Sequence, residues 1–344
     1  MPLSTSHEES PIISELRQDI ITGDWVVIAK ARAQKPENFK AAADNEMAPV
    51  NPEDCPFCYP EKTGQKKDTL IYYRDDGEWS LRVFPNKFPA FSRESNEVRH
   101  FEEGPYFAME GIGYHELIIT RDHDKVFGQM SVENLAELVD SFRTRYLELM
   151  NKKSVNYILI IHNHGRRAGA SQPHPHCQLF AIPVISPAVS LELNGAENYF
   201  RSKRNCVFCD MIEWELKEKK RLVFENENFV VLAPYASRAA FELWVLPKKH
   251  SPYFERIGSK EEWELGEALK KALGKIYFGL NNPAVNFYLH TSPCDGKDYS
   301  HYHWHIEILP RTSIWAGFEM ATGIEVSTVI PEDAAEFLRK VSTP

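Results

Sequence analysis

Four motifs occur twice along this chain, in the same order, and that duplication constrains its fold more than any other feature. Cys55-Pro-Phe-Cys58 is echoed by Cys206-Val-Phe-Cys209. A strand-like run closing on a histidine follows each pair. It reads His115-Glu-Leu-Ile-Ile-Thr-Arg-Asp-His123 in the first half and Phe241-Glu-Leu-Trp-Val-Leu-Pro-Lys-Lys-His250 in the second. Val155-Asn-Tyr-Ile-Leu-Ile then matches Val285-Asn-Phe-Tyr-Leu-His, and His174-Pro-His176-Cys-Gln-Leu matches His303-Trp-His305-Ile-Glu-Ile. The separations His123 to His250, Val155 to Val285 and His174 to His303 are nearly equal. Cys55 and Cys206 lie further apart, so the first half carries its extra length early. Ordered matches at near-constant spacing are hard to produce by chance.

Between turn residues lie short runs rich in Val, Ile, Tyr and Trp, the pattern of strands. They are Trp25–Ala29, Ser80–Val83, Glu116–Thr120, Asn156–Ile161, Gln178–Ile182, Phe229–Leu232, Glu242–Leu246, Asn286–His290 and Trp304–Leu309. One helix is predicted from about Ser131 to Asn151. A second starts at Ser259, with Glu262 three residues on as a capping box. A short third lies near Pro331–Val341, where proline suits the first turn. Strands that cluster rather than alternate with helices predict an α+β fold of mainly antiparallel sheets with flanking helices. The duplication divides it into residues 1–185 and 186–344. Ala43–Glu53 and Ser186–Arg204 read as loops or linkers, the latter joining the halves.

The chain has 344 residues, 43% of them apolar and 26% charged, enough for two ordinary domains. A net charge of -9 argues against gripping a nucleic-acid backbone. It does not argue against one nucleotide, for which a few local donors suffice. Met1–Ser10 is polar and acidic, without the basic start and apolar run of a secretory signal. No apolar stretch is long enough to span a bilayer. The expectation is a cytoplasmic protein with neither a membrane nor a nucleic-acid partner. In a reducing compartment the two C-x-x-C pairs read as metal ligands rather than disulfides. Zinc takes four ligands, and the repeat offers two matching quartets: Cys55, Cys58, His123 and His174, then Cys206, Cys209, His250 and His303. Both are expected to be structural zinc sites, with iron the other option for the second. His115, His162, His164, His290 and His305 remain as spare ligands.

The chemical centre is Asn163-His-Gly-Arg-Arg-Ala-Gly-Ala-Ser171-Gln-Pro-His174-Pro-His176-Cys-Gln178. A Gly/Ala/Ser loop lets backbone N–H groups approach a phosphate, and Ser171 adds a hydroxyl. On an extended segment alternate residues share a face, so His174, His176 and Gln178 point the same way. A metal on His174 leaves His176 beside it as a free imidazole, a competent nucleophile at phosphorus. Gln178 can donate to a phosphoryl oxygen as charge develops. This reading requires the His176 ring at the mouth of a nucleotide-sized cleft. Cys177 should face away from it.

The segment resembles the active-site motif of galactose-1-phosphate uridylyltransferases, in the histidine-triad superfamily, and the resemblance covers nearly the whole chain. Trp25-Val-Val-Ile-Ala-Lys-Ala-Arg32-Ala-Gln-Lys35-Pro resembles the family's basic phosphate-side segment, and Phe84-Pro-Asn86-Lys-Phe its nucleoside-binding segment. Gly317-Phe-Glu319-Met with Thr322-Gly resembles its sugar-binding segment. The resemblance implies His176 as nucleophile, His174 as zinc ligand, Gln178 and Ser171 on the phosphate, and Arg32, Asn86, Asn163, Gly169 and Glu319 lining the substrate site. It implies a ping-pong reaction: His176 takes UMP from UDP-glucose and hands it to galactose 1-phosphate. It also implies a homodimer with active sites near the subunit interface, and no cofactor in the chemistry beyond structural metals. Some members carry a mixed histidine/carboxylate metal site in the second half, where Cys206 and Cys209 here suggest Cys₂His₂. That pair and the Phe-Glu-x-x-Thr-Gly tail are similar to ADP-glucose phosphorylase, which moves AMP to inorganic phosphate through the same covalent histidine. His303-Trp-His305-Ile-Glu307 reads as a degenerate, non-catalytic copy. Two other classes stand beside these: a non-catalytic zinc-stabilised nucleotide-binding module, and a nucleotide hydrolase. The hydrolase signature has a histidine near the position of Gln178.

Overall fold

The computed structural model describes residues 13–32, 47–93 and 98–344. The expectations for Met1–Ser10, for Lys35 and for the start of Ala43–Glu53 lie outside them. The chain opens with β1 (Glu15–Gln18) and β2 (Trp25–Ile28), then β3 (Leu70–Tyr73), β4 (Trp79–Pro85), the hairpin β5 (His100–Glu103) and β6 (Tyr106–Met109), and β7 (Tyr114–Thr120). Helix α1 (Val132–Leu149) leads to β8 (Tyr157–His164) and β9 (His176–Ile182). Two helices, α2 (Pro187–Lys203) and α3 (Val207–Glu218), precede β10 (Leu222–Glu225), β11 (Phe229–Leu232) and β12 (Leu243–Pro247). Then come α4 (Ser259–Gly279), β13 (Val285–His290), β14 (His305–Pro310), α5 (Gly317–Thr322), β15 (Glu325–Ser327) and α6 (Pro331–Lys340).

The duplication is written into one sheet of ten strands, ordered β10-β11-β12-β14-β13-β8-β9-β7-β4-β3. Read inward from either edge, each half lays down its strands in the same sequence of roles, and the halves join where β8 meets β13 antiparallel, with Tyr288 opposite Ile161. The fold is α+β, its main sheet antiparallel in every pairing. A small separate sheet orders β1-β2-β15.

Strand alternation sorts the residues. On one face Ile118, Cys177, Leu179, Leu243 and Val245 join the main core with α1 and α4. Those two helices pack so closely that a Cβ on Gly266 would lie 2.7 Å from the backbone nitrogen of Ala136. On the other face Trp244 and Leu246 pack with α2 and α3, while Leu117 and Ile119 close over Cys55 and Phe57. Cys177 is buried in the helix-side core, so it does turn away from His176.

Two expectations need correction. Ser186–Arg204 is no linker: α2 runs through it, capped by the Ser186 hydroxyl accepting from Val189 N at 3.3 Å, with Pro187 in its first turn. Val189, Leu193 and Ala196 line its buried face. At α4 the cap sits one residue earlier than predicted. Gly258 is the N-cap, and its N–H donates to Glu261 Oε2 at 2.8 Å, rather than Ser259 pairing with Glu262.

Candidate active site

Both cysteine–histidine quartets come together as the repeat predicts. The side-chain donors within each group lie within 4.8 Å of one another. In the first, Cys58 Sγ is 3.1 Å from His123 Nδ1 and 3.5 Å from His174 Nδ1, and Cys55 Sγ is 3.6 Å from His174 Nδ1. In the second, Cys209 Sγ is 3.4 Å from His250 Nδ1 and 3.6 Å from His303 Nδ1. Zinc–nitrogen bonds of about 2.0 Å and zinc–sulfur bonds of about 2.3 Å give tetrahedral edges of roughly 3.3–3.8 Å. The other ring nitrogen supplies a second test. His123 Nε2 donates to Val50 O at 2.8 Å, His174 Nε2 to Thr120 O at 2.6 Å, His250 Nε2 to Ser300 O at 2.9 Å and His303 Nε2 to Pro247 O at 2.9 Å. All four rings therefore carry their proton on Nε2 and aim the Nδ1 lone pair at the sulfurs, the arrangement of a metal-ligating histidine. The residues fit a metal at both places.

His176 sits at the start of β9, opposite Ile119 of β7. Its Nδ1 donates to the carbonyl of His174 at 2.8 Å, which leaves the lone pair on Nε2. Burial holds the imidazole below its ordinary value, against the opposing pull of that bond, so the ring is neutral at neutral pH. Phe57, from inside the first C-x-x-C turn, packs against it with centroids 5.0 Å apart. The ring is only 4% exposed. The requirement for an imidazole at an open cleft mouth is thus not met: Phe57 and the strand enclose the ring. Among the described residues Nε2 makes no hydrogen bond.

The surroundings distribute the other expected residues unevenly. Gln178 follows on the same face, and Asn86 lies beside it: both reach His115, at 2.9 Å and 3.1 Å from its Nε2. Ser171 and Gly169 are exposed on the loop before His174, and Gly169 has φ +81°, a left-handed turn that favours glycine. Asn163 accepts from Asn286 Nδ2 at 2.7 Å across the join between the halves. Arg32 is exposed at the end of the β2 segment, and Glu319 accepts from Ala316 N at 3.0 Å at the head of α5. Among the described residues neither bonds to β9.

Of the five spare histidines, His115, His162 and His164 are engaged in hydrogen bonds away from the metal ligands, while His290 and His305 stand in a further candidate ligand group. His115 holds Gln178. His162 donates from Nδ1 to the backbone carbonyl of His176 at 2.8 Å, and burial pushes its imidazole down to about 3. His164 pairs with Asn282 Oδ1 at 2.6 Å. His290 and His305 join Glu192 and Glu307 in a third, fully buried group whose donors lie within 4.8 Å. Its chemistry would suit a divalent cation. It is also charge-compensated by the protein: Glu192 pairs with His290 Nδ1 at 2.9 Å, and Arg238 reaches Glu307 and, at 3.5 Å, Glu242. Sequence reasoning missed Glu192, because its helix was read as a linker, and missed the phenylalanine shared by both C-x-F-C turns, which was legible as a repeat.

No helix among the described residues is long and apolar enough to cross a membrane. Residues 4–186 match the family described as Galactose-1-phosphate uridyl transferase, N-terminal domain, and residues 111–341 match a domain of unknown function (DUF4921). The chain is 34% identical over 332 residues to ADP-glucose phosphorylase of Arabidopsis thaliana, covering 95% of this chain and 93% of that one. It is 28% identical to the galactose-1-phosphate uridylyltransferase of Thermotoga maritima, covering 95% and 98%. A crystal structure of an Arabidopsis ADP-glucose phosphorylase with bound ADP-glucose superposes with a TM-score of 0.81 at 31% identity, covering 96% and 100%. Sequence, fold and the paired-histidine strand agree: this chain belongs to the galactose-1-phosphate uridyl transferase family of nucleotidyltransferases.

Proposed function

We infer that the chain transfers a nucleoside monophosphate from a nucleoside diphosphate sugar to an anionic acceptor through a covalent adduct on His176. The observation that carries this is the tautomer of that ring. Its Nδ1–H is committed to the His174 carbonyl, so Nε2 keeps a lone pair and needs no base, and attack requires the Phe57 ring that encloses His176 to give way to the substrate. In the first step the Nε2–P bond forms at the α-phosphorus and the bond from that phosphorus to the departing sugar-phosphate oxygen breaks. In the second the acceptor oxygen attacks the same phosphorus and the N–P bond breaks. In this reading Gln178 and Ser171 donate to the phosphoryl oxygens. Zinc fits the Cys55, Cys58, His123, His174 quartet and the Cys206, Cys209, His250, His303 quartet, where it would fix the two strand starts and take no part in bond making. Iron is the option to test at the second.

ADP-glucose with inorganic phosphate is the pair the likeness favours, at 34% identity against 28% for a uridylyltransferase. UDP-glucose with galactose 1-phosphate is the second reading, favoured by the family match over residues 4–186. Arg32 and Glu319, which among the described residues make no bond to β9, fit a homodimer in which a neighbour completes the site. The test is incubation with each α-labelled nucleotide sugar, followed by acid and base treatment. An acid-labile, base-stable label on the protein, discharged by one acceptor and not the other, is the expected result. Absence of label from every nucleotide sugar would sink the reading.

A further inference from the structure

Gln178 is useful to a phosphoryl group only if its amide presents N–H and not C=O. We propose that His115 is the positioning residue that settles this, holding Gln178 by Oε1 so that both amide hydrogens face the substrate phosphate. The inference rests on the covalent-histidine reading of His176.

Ala90 faces the His115 ring with a donor that has no choice. The backbone N–H of Ala90 lies 3.2 Å from His115 Nδ1. A peptide N–H can only donate, so Nδ1 carries the lone pair and the ring proton is on Nε2. That proton points at Gln178 Oε1, 2.9 Å away. A doubly protonated ring could not accept from Ala90, and burial disfavours the charged form in any case, against a smaller opposing effect of the Gln178 bond. Asn86 Nδ2, 3.1 Å from the same Nε2, is then a neighbour and not a partner. Its own amide is oriented locally, since Oδ1 accepts from Phe88 N at 2.9 Å.

Register makes the contact. β7 sets Leu117 opposite Gln178 and His115 opposite Phe180. His115 is thus the diagonal neighbour of Gln178 on the same face, within reach of a long side chain. Phe180 stacks on its ring with centroids 4.1 Å apart and planes 26° apart, which fixes where Nε2 points. His115 is buried, 7% exposed. Among the described residues the ring has no hydrogen bond or ring contact with an expected metal ligand, so it is assigned to neither quartet. Its partners are Gln178, the Ala90 N–H and Phe180, with Asn86 a neighbour.

The test is a double-mutant cycle read by single-turnover formation of the nucleotidyl-histidine. His115→Phe keeps the stack and removes the donor. It should slow adduct formation by roughly tenfold to a hundredfold, the scale for a residue that orients one transition-state donor, with less than about a threefold change in KM. His115→Gln, whose amide nitrogen can reach the place of Nε2, should recover most of the rate. Gln178→Ala should be slow, and adding His115→Phe to it should slow it no further. Equal slowing by His115→Phe in the wild-type and Gln178→Ala backgrounds overturns the proposal. So does a loss in His115→Phe that tracks loss of bound metal or of fold. If the wild-type protein forms no adduct, the covalent reading fails instead. His115 is then judged by long-range ¹H–¹⁵N correlation of its ring. An Nε2–H tautomer that is disturbed by Gln178→Ala is expected. An Nδ1–H tautomer, or a spectrum indifferent to Gln178, overturns it.

Discussion

In both halves a C-x-F-C turn sets a phenylalanine against the second histidine of a strand: Phe57 lies 5.0 Å from His176, and Phe208 lies 5.0 Å from His305. In both, that histidine spends Nδ1 on the carbonyl two residues earlier, at 2.8 Å and 3.1 Å. The scaffolds are equivalent and the charge around them is not. His176 faces the neutral amide of Gln178. His305 Nε2 is buried without a hydrogen bond, 3.7 Å from Glu307 and 3.9 Å from Glu192, under a stacked Trp244. A phosphate entering the second site would meet buried carboxylates. Backbone duplication therefore copied the geometry of the second histidine, and the surrounding charge separates the His176 copy from the His305 copy, which has become ion-paired core.

The widest separation should come from deleting each imidazole. His176→Gly should lower adduct formation at least about a thousandfold. His305→Gly should leave it within about threefold. Labelling of purified variants at matched metal content measures both. Equal losses in the two would mean the halves share one site.

Exchanging the next side chain on the strand sharpens the electrostatic half of the claim. Gln178→Glu brings the second half's carboxylate to the first and should slow adduct formation about a hundredfold, by repelling the phosphoryl oxygens and removing a donor. Glu307→Gln should leave the labelling rate alone. It should instead cost about 1 to 2 kcal/mol in urea unfolding, because Arg238, 35% exposed, loses a buried partner and among the described residues retains Glu242. A Glu307→Gln protein as stable as wild type contradicts the ion-paired reading.

The metal quartets should also differ in reach. Cys55→Ser loosens His174, whose carbonyl orients His176, and should slow labelling by roughly tenfold to a hundredfold while removing one metal equivalent. Cys206→Ser should remove the other equivalent and lower stability with less than about a threefold effect on labelling. Metal analysis beside single-turnover rates decides it. Identical rate losses would place both quartets on the same path to the nucleophile.

How much of this could be read before the coordinates depends on whether a repeat carried it. The two quartets were legible because Cys55 and Cys206, His123 and His250, and His174 and His303 occupy corresponding places. Strand positions followed from runs rich in Val, Ile, Tyr and Trp between turn residues, and His176 with Gln178 from the spacing of two. The sheet-wide fusion through β8 and β13 was not legible, since edge pairing between halves leaves no mark in either half alone. Helix α2 was missed although Val189, Leu193 and Ala196 fall at helical spacing behind a Ser-Pro start. Its many polar residues and an internal glycine masked that stripe. The His115–Gln178 and His162–His176 contacts depend on register, which a strand's own sequence does not fix.

The smallest expected difference is one of pH, and it has opposite signs in the two halves. His162, buried in the first half, is held neutral: burial pushes it down to about 3, against the His176 carbonyl and with help from neighbouring imidazoles. Between about pH 3 and the ordinary 6.5 the unfolded chain binds the proton and the folded one does not, so its contribution is lost as pH falls below 6.5. His290 in the second half is raised. Burial pulls it down, but Glu192 at 2.9 Å more than reverses this. Its contribution is fully present below pH 6.5 and is lost as pH climbs through the raised folded value. His162→Gln should therefore flatten the acid side of a melting-temperature profile and His290→Gln the neutral-to-alkaline side, each by about 1 to 2 °C in a chain of this size. If both substitutions flatten the same side, the two halves do not differ in how they bury histidine, and the electrostatic contrast between His176 and His305 loses its support.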